Sequence, residues 1–248
     1  SDDNSNLFLS TEENPANKKL IAHARTAFYS LTRYNFNGYT ATIKPNWKVI
    51  LAKTATPENL KVFRSQHFSM TVDSIGSVSI NREFDVVQRA SSATYVKQIH
   101  ENVQRLLSSF FGTWSFFMIR SAFPELQINI ENLGQEYQIS YTVQSTEVEL
   151  KLTADFLITE GRFFDGKVKR TIKPIFQKTS EGFLLTGYHT LFEPVGQGNK
   201  TTMETRIEYN DIGGLKLPGK IHIKGIYGAE PIEAELKFNE YALTAPRR

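Results

Sequence analysis

From Leu126 to Leu243 the apolar side chains fall on every second residue. Leu126, Ile128 and Ile130 alternate, then Tyr137, Ile139, Tyr141 and Val143, then Val148, Leu150 and Leu152; Met203, Thr205, Ile207 and Tyr209 follow, and Ala234, Leu236 and Phe238 close the series. A period of two belongs to a strand with one face in the core. Charges fill the intervening positions, as in Glu149/Lys151, His222/Lys224 and Glu233/Glu235/Lys237, so each strand has one wet face and one apolar face. Asp165-Gly166, Glu181-Gly182, Gly196-Gln197-Gly198-Asn199, Gly213-Gly214 and Pro218-Gly219 supply turn chemistry between the runs. This half of the chain therefore reads as a long antiparallel meander with short connections and no crossover helices.

A sheet with an apolar face needs a cover, and two segments can supply one. Between Pro15 and Tyr34 the residues Leu20, Ile21, Ala24, Phe28 and Leu31 recur at helical spacing, with Asn14 as N-cap and Pro15 at the first helical position. From Ser92 to Ile119 the series Val96, Ile99, Val103, Leu106, Phe110, Trp114 and Phe117 predicts a long helix. Its end, Leu106 to Ile119, reads LLSSFFGTWSFFMI and is apolar on nearly every side; at fourteen residues it is too short to span a bilayer and suits a buried or interfacial helix. Pro124 closes it. Between these helices the period is two at Tyr39, Ala41 and Ile43, and strand-like runs follow at 47–53, 60–72 and 77–86.

The chain has 248 residues, 40% of them hydrophobic, enough to bury a substantial core, and no Pro/Gly/Ser-rich linker divides it. A single domain is expected over 15–248, after a flexible polar tether at 1–14. That opening run, Ser1-Asp2-Asp3-Asn4-Ser5-Asn6, suits a segment following a removed export signal or lipid anchor. With 29 Lys+Arg against 26 Asp+Glu the net charge is +3, too small to argue for nucleic-acid binding. The absence of cysteine removes disulfides, thiolate metal sites and cysteine nucleophiles.

Two clusters are candidates for binding. Phe110, Phe111, Trp114, Phe117 and Met118 can fill a core or line a cavity for a hydrophobic ligand, because a helix apolar on two sides needs two partners. Lys167, Lys169 and Lys173 share one face of a strand, with Thr171 between them and Arg162 and Arg170 nearby; they form either a solvated face or a contact for an anionic headgroup or partner. Catalysis has little to rest on. His23, His67, His100, His189 and His222 show no paired metal spacing, and there is no GxSxG, no Walker-type GK[ST] and no GxGxxG. A dispersed acid–base pair of Asp155 or Glu160 with His189 is the remaining enzymatic option. No cofactor or metal is implied.

Three stretches carry a family resemblance: ADFLITEGRFFDGKVKRTIKPIFQKTSEGFLLTGYHTLF at 154–192, RIEYNDIGGLKLPGKIHI at 206–223, and AELKFNEYAL at 234–243. They resemble the hairpins, the "Y…GG…LP…I" strand-turn-strand and the last strand of the LolA/LolB-like superfamily of periplasmic lipoprotein carriers, and the opening helix leading into a strand, Pro15 to Ile43, is also similar. The resemblance implies an α+β fold, a large curved antiparallel sheet forming a half-open barrel around one or two helices, with a cavity for acyl chains. It also implies a periplasmic or outer-membrane-anchored location, with peripheral or lipid-anchored membrane association. The expected function is then non-enzymatic binding of a hydrophobic ligand such as a lipid or lipoprotein acyl chain. The alternatives are an envelope structural or assembly protein with a filled core that binds a partner protein through its sheet, and a hydrolase or isomerase.

Overall fold

The computed structural model describes residues 15–83 and 90–246. The expected tether at 1–14, the Asn14 cap and the end of the 77–86 run lie outside those residues. Helix α1 (Pro15–Thr26) opens the fold. The helical run expected to continue to Tyr34 stops there because the chain turns to pair with a later strand: Phe183 N–H donates to Ala27 O (2.8 Å) and Tyr29 N–H to Phe183 O (2.9 Å). A 3-10 turn at Leu31–Tyr34 follows, and Asn35 ends it in the left-handed region. Strand β1 (Gly38–Pro45) comes next.

The two segments that follow correct the strand expectation at 47–53 and at the start of 60–72. Trp47–Leu51 is helix α2, with the Asn46 side chain accepting from Val49 N–H. Pro57–Phe63 is helix α3, capped by the Thr56 hydroxyl on Asn59 N–H and carrying Pro57 in its first turn. WKVIL and NLKVF are too short for their apolar pattern to separate helix from strand. The Asn cap and the Thr-Pro pair decide the matter, because they satisfy amides that a helix start leaves open. Strands β2 (His67–Asp73) and β3 (Val78–Glu83) form a hairpin, and the long helix α4 (Ala90–Met118) has the length expected.

The rest of the chain is strand after strand: β4 (Asn129–Asn132), β5 (Glu136–Val143), β6 (Thr146–Thr153), β7 (Ile158–Phe164), β8 (Val168–Thr179), β9 (Gly182–Pro194), β10 (Thr201–Ile212), β11 (Leu215–Tyr227) and β12 (Glu230–Leu243). One predicted turn is absent. Pro218-Gly219 lies inside β11, where the missing Cβ of Gly219 leaves room for the Asn210 side chain. The twelve strands form one sheet in the order β3-β2-β1-β12-β11-β10-β9-β8-β7-β6-β5-β4, antiparallel and not closed, with β3 and β4 at its edges. Among the described residues, four α-helices and a large antiparallel sheet make the fold α+β. No helix among the described residues is long and apolar enough to cross a membrane.

The described chain divides into two compact units. The first contains the described chain up to Tyr29, Ala122–Glu204 and Gly225–Glu230. Its core is the apolar face of β5–β9, including Ile139, Leu150, Leu152, Ile172 and Leu185, together with Ile21 and Ala24 of α1. Tyr141 Oη donates to Ala122 O (2.8 Å) and Arg25 Nε to Phe123 O (2.6 Å), which fixes the chain after α4 against this unit's own strands. The second contains Ser30–Ser121, Thr205–Lys224 and the chain from Pro231. Its core is built from Tyr39, Ile43, Phe68, Met70, Leu236 and Phe238 on strands and from the buried side of α4.

Candidate functional site

In the second unit the five residues predicted from the aromatic helix are all closed to solvent, and Phe110, Phe111 and Trp114 are in mutual ring contact. Phe110, Phe111, Trp114, Phe117 and Met118 are each 5% exposed or less. Phe111 packs edge-on against Phe110, Trp114 and Phe238, at centroid distances of 5.0, 5.9 and 5.9 Å. Trp114 meets Tyr39 of β1 at 6.4 Å and donates its indole N–H to the Tyr209 hydroxyl at 3.2 Å. Offset and edge-on aromatic contacts of this kind are worth about 0.5–1.5 kcal/mol each beyond burial. The side of α4 that needed a partner finds it in β1, β10 and β12 of the same unit.

His100 lies deeper in this unit, 1% exposed. It is enclosed by the rings of Trp47, Phe63 and Phe68 at 5.7–5.9 Å. Burial, with help from the Arg82 charge, lowers its pKa to about 4, so the ring is neutral near pH 7. The other histidines are scattered. His222 bonds Glu233 at 2.8 Å on the wet face of its strand, and His189 is exposed on β9 across from Lys173. Among the described residues no hydrogen bond or ion pair joins His189 to Asp155 or Glu160; Glu160 is bonded to Arg162 at 2.7 Å. No group of three or more His, Asp or Glu among the described residues is placed to hold a metal.

The first unit carries two of the three predicted lysines, Lys169 and Lys173, on the solvent face of its sheet; Lys167, expected beside them on the strand, precedes it because Asp165 turns the chain there. Cross-strand register puts Ser140, Glu149, Arg162 and Thr171 in one row and Thr142, Glu147, Phe164, Lys169 and Glu193 in the next. Lys167 sits in the β7–β8 turn, where its backbone N–H donates to Asp165; Lys169 and Lys173 are exposed on β8. The amides of Val168 and Lys167 hold the Asp165 carboxyl below the usual range. This face also opens into a cleft of about 560 Å³, lined by Arg162, Phe164, Lys169 and Val195 among others. Some of its charges are matched: Arg162 bridges Glu160 (2.7 Å) and Glu149 (3.4 Å), and Glu193, opposite Lys169, pairs with Lys200 (3.4 Å). Interleaved signs of this kind are those of a solvated face, on which Lys169 and Lys173 stand exposed.

The opposite face of the same strands is apolar. One row runs Ile139, Leu150, Gly161, Ile172, Thr190; the next runs Tyr141, Val148, Phe163, Arg170, Phe192. Arg170 breaks the second row. Its guanidinium lies over the Phe163 ring, 4.8 Å from the centroid, and burial lowers its pKa. The signal was present in the sequence, since Arg170 stands in the register of Ile172 and out of step with Lys169 and Lys173. No protein-family model matches the chain, and no curated protein or solved structure matches it.

Proposed function

We propose that this protein is a non-enzymatic binder of a hydrophobic ligand, an acyl chain or similar lipid, which it takes into the first unit by displacing the side chains that now close over the apolar face of β5–β9. The half-open barrel of LolA-like type and an exported, envelope location belong to the same proposal. One observation supports it above the rest: the segregation of the two faces of these strands, with rows of Ile, Leu, Val, Tyr and Phe on one and charges on the other. Such a face binds by burying hydrocarbon, at about 0.8 kcal/mol per CH2 before the cost of ordering the chain.

Native mass spectrometry of protein purified gently from a bacterial host, followed by solvent extraction, tests this. A stoichiometric lipid adduct, reloaded on titration after delipidation and lost in Ile172→Glu but kept in Lys173→Glu, is the expected result. A bare mass that takes up no lipid overturns it. A second reading, a partner protein docked on the solvent face, draws on the 560 Å³ cleft with Phe164 and the 62% exposed Val195 at its surface. Under that reading Phe164→Glu abolishes partner binding and leaves lipid uptake unchanged.

A further inference from the structure

An antiparallel meander gathers alternate turns at one end of its sheet. In the first unit the β5–β6, β7–β8, β9–β10 and β11–β12 turns share such an end. Main-chain bonds tie neighbouring turns together: Val195 N–H donates to Lys167 O (2.8 Å) and Gly228 N–H to Lys200 O (3.2 Å). Three of these four tips present large apolar side chains to water, Val143, Val195, Ile226 and Tyr227, each 38–62% exposed. The β6–β7 and β8–β9 turns at the opposite end expose Asp155 and Ser180 instead. A single exposed apolar side chain needs no explanation, but a row of them along one rim marks a surface that meets something apolar, and a tyrosine suits the wet boundary of a bilayer.

The cleft of about 560 Å³ opens beside these tips, with Val195 in its lining. Cross-strand register sets Glu147, Phe164 and Lys169 side by side there on three neighbouring strands, about 4.8 Å from each to the next. Phe164 is half-buried, and the charges on either side of it are exposed. Arg162 and Glu149 in the adjoining row pair with each other, whereas Glu147 and Lys169 make no ion pair or side-chain hydrogen bond among the described residues. A ring face with a carboxylate beside it attracts an ammonium group, and a lysine ammonium on its other side attracts phosphate as a point charge. The ligand that satisfies both carries a cation and an anion one to two strand spacings apart, about 5–10 Å. Net charge agrees: Arg162 and Lys169 against Glu147 and Glu149 leave the cleft neutral, with no excess to draw it to an anionic surface.

We propose that this end of the first unit docks on a bilayer of zwitterionic phospholipid, the tips at Val143, Val195, Ile226 and Tyr227 entering the interface and the Glu147–Phe164–Lys169 row taking one phosphoammonium headgroup. The docking adds a membrane contact to the hydrophobic-ligand reading and does not rest on it. Uptake of a ligand into the unit is a separate step that these three side chains do not control.

The test measures binding of the full chain to vesicles of phosphatidylcholine, to vesicles of phosphatidylglycerol and to free phosphocholine, by co-sedimentation and calorimetry. Phosphatidylcholine vesicles should bind about fivefold or more tightly than phosphatidylglycerol ones, and Glu147→Gln, Phe164→Ala and Lys169→Gln should each weaken that binding by about fivefold or more. Val195→Ser should weaken binding to the vesicles and leave free phosphocholine unchanged. Equal or tighter binding to phosphatidylglycerol overturns the zwitterion, and unchanged binding in the three cleft variants overturns the cleft. Phosphocholine binding without vesicle binding identifies a site for a free zwitterion and overturns the docking. Should Phe164→Ala melt early, Glu147→Gln and Lys169→Gln, both at exposed positions, carry the test. A wild type that binds neither vesicle nor phosphocholine overturns the inference whatever lipid uptake shows; vesicle binding with no lipid adduct leaves the docking standing and overturns the hydrophobic-ligand reading.

Discussion

Gln104 of α4 donates to the main-chain carbonyl of Ile80 in β3 at 3.0 Å, and its own carbonyl accepts from Arg82 Nε at the same distance. β3 ends the sheet, and a free strand edge is a template for pairing with other chains. A helix side chain thus occupies one of the edge's main-chain acceptors. Gln104→Leu should cost about 1–2 kcal/mol, the price of a part-buried acceptor left open, and should speed amide exchange in β3 more than in β1. Urea denaturation and hydrogen-exchange mass spectrometry measure both effects; uniform exchange in the two strands would argue against the edge role.

Trp114 joins the helix to three strands of its unit through Tyr39, Tyr209 and, by way of Phe111, Phe238. Trp114→Ala should lose about 3–5 kcal/mol, the range for removing a large aromatic from a packed core. Tyr209→Phe removes the acceptor of the indole N–H while keeping the ring and should cost about 1–2 kcal/mol. Thermal and urea unfolding of the two variants would separate these values.

His100 gives the fold an acid limit. Its folded pKa of about 4 lies below the unfolded value of 6.5, so the unfolded chain takes up the proton first. The stability that depends on a neutral ring is complete above pH 6.5 and declines as the pH falls towards 4. At about 1.4 kcal/mol per pH unit the full loss is roughly 3–4 kcal/mol. In His100→Leu the slope of unfolding free energy between pH 6.5 and 4 should flatten; an unchanged slope would place the acid sensitivity elsewhere.

Gly182 holds the crossing between the chain after α1 and the start of β9. Its φ is +109°, and a Cβ there would lie 2.7 Å from Ala27 O and 2.8 Å from the Phe28 carbonyl carbon. Both contacts are backbone and cannot yield by a rotamer change. Gly182→Ala should therefore destabilise the first unit by roughly 3 kcal/mol or more, through close approach as well as backbone strain. Wild-type-like melting would show that the Ala27–Tyr29 crossing is dispensable.

Lys169→Gln and Lys173→Gln should each change stability by less than about 0.5 kcal/mol, as surface substitutions do. Lipid uptake should be unchanged in both, which native mass spectrometry can read directly.

The strands were legible because alternation is a direct record of which side of a sheet meets water. The burial pattern of β6, with Val148, Leu150 and Leu152 buried and Glu149 and Lys151 between them, follows the spelling residue by residue. α4 was legible for the same reason, over enough turns to average out noise. The short helices α2 and α3 were not, since five to seven residues hold too little periodicity and the caps at Asn46 and Thr56 carried the signal instead. For the site, the sequence marked the conspicuous residues. The aromatics of α4 are core, and Lys169 and Lys173 are solvated. Arg170 was visible among its basic neighbours, but its place over the Phe163 ring depends on the neighbouring strand, which no local pattern records.

The pairing of β1 with β12, from Tyr39 opposite Leu243 to Pro45 opposite Leu236, also sets an order of events. During synthesis the β1–β2–β3 hairpins can form early, yet the β1 flank that β12 will cover stays open while nearly all the remaining strands are made. Contacts so distant in sequence close slowly. The newborn chain must therefore keep that flank from other chains until β12 emerges, and loss of Asn239–Leu243 would leave its Tyr39–Thr42 part uncovered for the life of the protein.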